Sequence, residues 1–452
     1  MSDVLDQTIA DLGPQVARGS VKAEALVERC LERVAARNPS LNAFITVTAD
    51  EALAAARQAD AEIAAGRHRG ALHGMPVSLK DLIDQAGTPT TAGSRVRRDH
   101  RADRDATVTT RLRDAGAALI GKTNLHEFAF GTTTEDSGFG LARHPIDPAR
   151  SPGGSSGGSA IAVRTGMSLA SVGTDTGGSI RIPAAACGVV GLKACHGEIS
   201  ADRVVPLSRQ LDHVGPLARS VTDAWLMYEA MRGEPRRCGE QLEGVPVRGL
   251  RLGLLRAYAF DRIDADVEAS VLEAVERLRR AGAEIDEVRL PHAPDIAAIY
   301  LHLVLSDAAA YHTPTLDSRP GDYTPNVRLR LEMGRYVMAE DYVRAGLGKR
   351  VIRREVEAAL DGRHGLLLPT LAIPAPPLGA ATVRITQGDE PVRTAMLRLT
   401  QIFNLSGHPA ISLPCDPTPA GLPVGLQIAG RRDGTLALLR LARTVESVIA
   451  HA

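Results

Sequence analysis

Lysine is scarce in this chain. Of 53 basic residues only Lys22, Lys80, Lys122, Lys193 and Lys349 are lysine, and the rest are arginine. Arginine stays protonated, whereas a desolvated lysine can lose its proton, so a lysine retained near a reactive segment is a candidate base. Cysteine is sparse too. Cys30, Cys187, Cys195, Cys238 and Cys415 are odd in number and scattered, which argues against a disulfide framework and a zinc cluster and fits reduced thiols. Net charge is missing altogether: 53 acidic residues cancel the 53 basic ones, removing the electrostatic case for nucleic acid or an anionic membrane as the main partner. Long apolar runs are absent, and stretches such as Leu301–Leu305 are far too short to span a bilayer. The first ten residues carry Asp3 and Asp6 with no basic-then-apolar pattern, so a cytoplasmic protein is expected.

What is present reads as an ordinary globular composition, 44% hydrophobic and 23% charged over 452 residues. Three helices are expected first, over Val4–Ala17, Lys22–Ala36 and Asp50–Ala65, closed by Gly66. Short strands and helices then alternate: strand Met75–Leu79, helix Thr107–Asp114, strand Ala117–Ile120, helix Ser159–Arg164 and strand Leu169–Val172. Further on come strand Arg251–Leu255, helix Ala265–Ala281, strand Glu284–Leu290, a helical region Arg335–Leu360 and strand Leu366–Leu368. Asp433 is a candidate N-cap for a closing helix that runs to Ile449. Pro369–Leu378 reads as a loop, and no linker forces a split. The expected class is α/β, a single large domain over residues 1–452. Its mixed twisted sheet is covered by helices on both sides, with 1–66 as an N-terminal helical segment packing on it.

The chemistry concentrates between Pro152 and Pro183. Gly153-Gly154-Ser155-Ser156-Gly157-Gly158-Ser159 and Gly173-Thr174-Asp175-Thr176-Gly177-Gly178-Ser179 bracket two serines, Ser155 and Ser179, twenty-four residues apart. Glycine admits positive φ and close approach, so a serine among glycines can expose its hydroxyl beside free backbone N–H groups. Acyl transfer needs that combination of nucleophile and oxyanion donors. A flexible linker would not lead into Ile180, Ile182 and Val189-Val190. Lys80 leaves the strand Met75–Leu79 at its C-terminal end, where open α/β sheets gather ligands, and a neutral Lys80 could take a serine proton.

Other chemistries find no support. None of the 13 histidines keeps Gly-x-Ser-x-Gly company, and His126-Glu127 does not begin His-Glu-x-x-His. No lysine follows Gly157-Gly158 where a phosphate loop would need one, and a Cys187- or Cys195-based nitrilase-type amidase does not use this glycine-serine pattern.

Gly74-Met75-Pro76-Val77-Ser78-Leu79-Lys80-Asp81, Gly121-Lys122-Thr123-Asn124 and Glu127-Phe128-Ala129-Phe130-Gly131 precede the glycine-serine region. Gly188–Lys193, Leu211–Pro216, Asn404–Ala410 and Gly421–Gln427 follow it. Taken together these segments resemble the amidase signature hydrolases. The resemblance implies that Ser179 is the nucleophile, Ser155 a bridging serine on a cis peptide bond and Lys80 the base. It also implies an oxyanion hole from the amides of Thr176, Gly177, Gly178 and Ser179. Ser156, Asp175 and Arg181 are expected to support the loop, Lys122 and Lys193 to be structural, Phe130 to form a pocket wall, and Arg330 to hold a substrate carboxylate. No cofactor or metal is implied.

Family members differ in substrate and partners. In the member that serves glutamyl-tRNA amidotransferase as its glutaminase component, an acid would be expected to bind the α-ammonium of glutamine, but Leu397–Gln401 before Asn404 contains none. Cys195-His196-Gly197-Glu198 also departs from the family pattern, and the loop from Glu198 to Arg209 is expected beside the pocket. The expectation is a stand-alone amidase acting on a small-molecule carboxylic amide, with no nucleic acid or membrane partner and a homodimer through the N-terminal helices as one option. The alternative is a component of a glutamine-dependent amidotransferase complex acting with partner subunits on tRNA.

Overall fold

The computed structural model describes residues 3–450. Its strands are β1 (Phe44–Val47), β2 (Pro76–Lys80), β3 (Ala118–Thr123), β4 (Ala170–Asp175), β5 (Val190–Lys193), β6 (His213–Ala218), β7 (Arg251–Leu254) and β8 (Glu284–Glu287). They continue with β9 (Gly365–Pro369), β10 (Thr382–Ile385), β11 (Gly388–Pro391), β12 (Ala410–Cys415) and β13 (Val424–Ala429). Eleven form one sheet in the order β1-β3-β2-β4-β6-β5-β12-β13-β9-β7-β8, and β10 and β11 pair separately. The β3-β2-β4 and β9-β7-β8 groups are parallel, and antiparallel pairs join them through the middle of the sheet. This is the mixed-sheet α/β domain that the alternation of elements predicts.

Every residue of β2, β3 and β4 is buried, as expected where helices cover both faces of a sheet. Their polar side chains must therefore find partners inside the protein. Ser78 does so with the hydroxyls of Ser168 and Ser171, at 3.0 and 2.9 Å. The covering helices are made by ordinary local rules. In the helix Ala265–Arg280 the Asp264 carboxylate accepts from the amides of Asp266 and Val267. Val267, Val271, Ala274, Val275 and Leu278 face the core, and Arg277, Arg279 and Arg280 lie at the negative end of the helix dipole. The helix Gly157–Thr165 is buried apart from Arg164, which places its first turn inside the molecule. No helix among the described residues is long and apolar enough to cross a membrane.

Several boundaries differ from the sequence reading. The first helix is interrupted: Gln7 is extended, and Thr8 restarts the helix Ile9–Ala17 by exchanging hydrogen bonds with Asp11. The second continues through Pro39 to Leu41, where Asn42 turns left-handed at φ 51°. The N-terminal segment is not helical throughout, because β1 supplies an edge strand antiparallel to β3. Asp433 is not the N-cap of the last helix. It takes φ 59° in a turn closed by the Gly434 amide on the Arg431 carbonyl, and Gly434 occupies the cap position before Thr435–Ile449. The strand expected to reach Leu290 ends at Glu287.

Candidate active site

Strands β2 and β4 run parallel with Leu79 opposite Val172, so their C-terminal ends bring Lys80 and Thr174 together. Lys80 is 0% exposed, with Nζ 2.7 Å from Ser155 Oγ and 2.8 Å from Thr174 Oγ1. Burial pushes its amine down to about 7, against the opposing pull of Asp175 and Asp212. Lys122 is held differently, 3.3 Å from Asp81 Oδ1 and bonded to the Pro89 carbonyl and Thr90 hydroxyl. Lys193 donates to the carbonyls of His408 and Ala194. Burial, and after it the charge of Arg181, bring Lys193 to about 7 as well. Of these three lysines only Lys80 touches a serine of the glycine-serine region.

Ser155 follows a cis Gly154–Ser155 peptide bond. Its carbonyl accepts from the His126 amide at 3.1 Å, and the Thr134 hydroxyl donates to the Gly153 carbonyl at 2.8 Å. A Cβ at Gly154 would lie 2.9 Å from the amide nitrogens of Thr133 and Thr134, so glycine is what lets the two segments meet.

Ser179 lies on the loop between β4 and the helix Arg181–Cys187, and its carbonyl accepts from the Ser156 amide at 3.2 Å. It is 6% exposed, whereas Ser155 and Lys80 are fully enclosed, so Ser179 is the member of the group that can be reached from outside. The Asp175 carboxylate accepts from the amides of Ile180 and Arg181 at 3.2 and 3.4 Å. The amides of Gly177, Gly178 and Ser179 have no acceptor among the described residues. Gly178 has φ +140° and a Cβ there would collide with the Thr400 side chain, while Thr400 Oγ1 donates to the Gly177 carbonyl at 2.5 Å.

Arg181 holds this loop rigid. Its guanidinium donates to both Asp175 oxygens at 2.9 and 3.0 Å, to Asn404 Oδ1 at 2.7 Å, to Gln427 Oε1 at 2.6 Å and to the Thr400 carbonyl at 2.9 Å. Burial raises Asp175, but the adjacent Arg181 outweighs it and keeps the carboxyl well below its usual range. Sequence reasoning found Asp175 and Arg181 as supports but missed Asn404, Gln427, Thr400 and Thr174. The available signal was a polar residue inside an otherwise apolar element, such as Gln427 in Val424–Ala429, because buried polar groups require partners.

Phe130 is buried, and its carbonyl accepts from Arg330 Nη1 at 2.5 Å, so the two residues paired by sequence do meet. Phe128 packs into the core against His312, ring centroids 4.2 Å apart. The segment Ala201–Arg209 closes a cavity of about 240 Å3 whose inner wall is Thr174, Thr176 and Asp212. Thr176 Oγ1 donates to Asp212 Oδ1 at 2.6 Å, and burial lifts Asp212 to about 6 despite that bond. Cys187 is enclosed beside the Pro152 carbonyl and burial pushes its thiol far up, which leaves no thiolate for nucleophilic attack.

Comparison with known proteins agrees with this geometry. The Amidase family profile matches residues 25–437. The chain is 39% identical over 477 residues to the glutamyl-tRNA(Gln) amidotransferase A-type polypeptide of Anaeromyxobacter sp. strain K, covering 97% of this chain and 95% of that one. It is likewise 39% identical over 434 residues to an amidase of Pseudomonas putida, covering 93% and 92%. A crystal structure of an amidase superposes with a TM-score of 0.92 at 38% identity, covering 98% of this chain and 100% of the other. With the family profile spanning nearly the whole chain and the fold shared from end to end, the protein belongs to the amidase family of amide-hydrolysing enzymes.

Proposed function

We propose that this chain is a stand-alone hydrolase of a small carboxylic acid amide, working through an acyl-enzyme on Ser179. The observation that carries the reading is the buried Lys80 amine, 2.7 Å from Ser155 Oγ and poised near neutrality. Neutral Lys80 takes the Ser155 proton while Ser155 takes that of Ser179, and Ser179 Oγ bonds to the amide carbon. The amides of Thr176, Gly177, Gly178 and Ser179 donate to the oxygen of the tetrahedral adduct. As the C–N bond breaks, Lys80 returns the proton through Ser155 to the leaving nitrogen. Water then cleaves the ester by the same relay and restores Ser179. Phe130 and Arg330 contact the substrate.

The likeness to an amidotransferase component supports a second reading, ammonia release for a partner acting on tRNA. Against it, a Cβ on Gly177 would lie 3.0 Å from Leu397 Cδ1, so an aliphatic side chain stands beside the loop where an ammonium would need an acid. Mass spectrometry after incubation with a fluorophosphonate tests the assignment: a single adduct is expected on Ser179 and none in Ser179→Ala, and labelling at another residue overturns it. Turnover of simple amides by the purified chain alone supports the hydrolase. Amide hydrolysis that appears only with added partner subunits supports the second reading.

A further inference from the structure

Arg393, on the helix Val392–Leu397, has neither a hydrogen-bond acceptor nor a carboxylate at ion-pair distance among the described residues. Its guanidinium carbon is 5.9 Å from the Phe130 ring centroid, and that of Arg330 is 5.9 Å from the same centroid. Arg330 bonds only the Phe130 carbonyl. Both side chains are half-buried, so two like charges stand beside one aromatic ring with little solvent and no counter-charge. Burial, then the charge of Arg393, push Arg330 down to about 10. Such an arrangement is costly unless an anion completes it. The contrast is Arg181, whose guanidinium is saturated by a carboxylate and three further oxygens.

The pair also lies on the approach to Ser179. Tyr300 is close enough to Arg393 to feel its charge, and its hydroxyl lies 2.5 Å from where a Cβ on Gly177 would be. That hydroxyl has no hydrogen-bond partner among the described residues, which leaves a neutral donor beside the two cations. A planar carboxylate matches the fork geometry of guanidinium groups.

We infer that Arg330, Arg393 and Tyr300 hold a carboxylate of the substrate, so that the amide cleaved on Ser179 is a short one carrying a free carboxylate. The inference rests on the proposed hydrolase for its reaction but not for its binding, and the two are tested apart. Binding is measured calorimetrically on Ser179→Ala protein, with succinamate and the neutral pentanamide as probes. Succinamate should bind at least about tenfold tighter than pentanamide, and adding Arg393→Gln should remove that preference, as expected for a lost charge-assisted contact. Arg393→Lys should recover part of it, and Arg330→Gln should repeat the loss in a second variant. Equal binding of the two probes, or a preference that survives Arg393→Gln, overturns the inference. If succinamate binds as expected while the wild-type enzyme hydrolyses no amide, the hydrolase reading falls and the anion site stands. If neutral and anionic amides are hydrolysed with equal kcat/KM, the reverse holds.

Discussion

Lys80 stands in a chain that uses arginine for nearly all its other positive charges, and Lys80→Arg separates the need for a charge from the need for a removable proton. If Lys80 is the base, that variant should lose about 10²- to 10⁴-fold in amide turnover, the range typical of a positioned acid–base group, as a steady-state assay would show. In the wild type kcat/KM should rise with pH through an apparent value near 7, set by burial of the amine, and Lys80→Arg should lack that limb. The same group makes stability depend on pH. Its folded value of about 7 lies below the ordinary 10.5, so between them the unfolded chain binds more protons and stability increases with pH. Urea titrations at pH 7 and 9 should show a larger gain in the wild type than in Lys80→Met. Asp175 has the opposite sense: held low by Arg181, it stabilises above the unfolded carboxylate range and that contribution is lost as pH falls. Arg181→Gln should cost roughly 3–5 kcal/mol in denaturant unfolding, because it strands a buried carboxylate. Lys80, Ser155 and Ser179 could be singled out in the sequence because composition and glycine context isolate them. Thr174, Tyr300 and Arg393 could not, since each is a common residue type whose meaning comes from a neighbour distant in sequence.

At the scale of elements the loop from β4 to the helix Arg181–Cys187 carries the most constrained backbone, and glycine is required there for two reasons at once. Gly178 needs φ +140°, and its missing side chain leaves room for Thr400. Gly178→Ala should therefore displace the free amides of Gly177–Ser179 and lower kcat by about 10²- to 10³-fold, the loss typical of a damaged oxyanion site. Its cooperative thermal unfolding should persist, and circular dichroism would check that. Elements with strong periodicity, such as Thr107–Asp114 and Ala265–Arg280, are found where the pattern puts them. The interruption at Gln7 and the turn at Asp433 were harder to read, because a cap is chosen among several polar residues by contacts elsewhere. Asp433 is a clear case: its amide lies 3.5 Å from Cys195 Sγ, a contact from the far side of the chain. β1 was missed because four residues on a sheet edge, Phe44–Val47, carry too short a pattern to identify alone.

Across the whole molecule, the N-terminal segment is bound into the sheet as well as packed on it. Leu5, Ile9, Leu12, Leu26 and Val27 belong to the main core, and β1 covers the edge of β3. A chain lacking residues 3–66 should lose its cooperative unfolding transition and aggregate through the uncovered β3 edge, which calorimetry and light scattering would detect. By itself the sequence determined the α/β class, the run of helices and strands through the first half, and the glycine-bracketed serines with one lysine at a strand end. These follow from local periodicity, composition and backbone freedom. Only the tertiary structure decided the order of eleven strands, the placing of Asn404 and Gln427 on Arg181, and the meeting of Arg330 with Arg393 across Phe130. The reason is physical: a buried polar or charged group is defined by the partners that replace its water, and those partners come from remote segments joined only when the sheet is assembled.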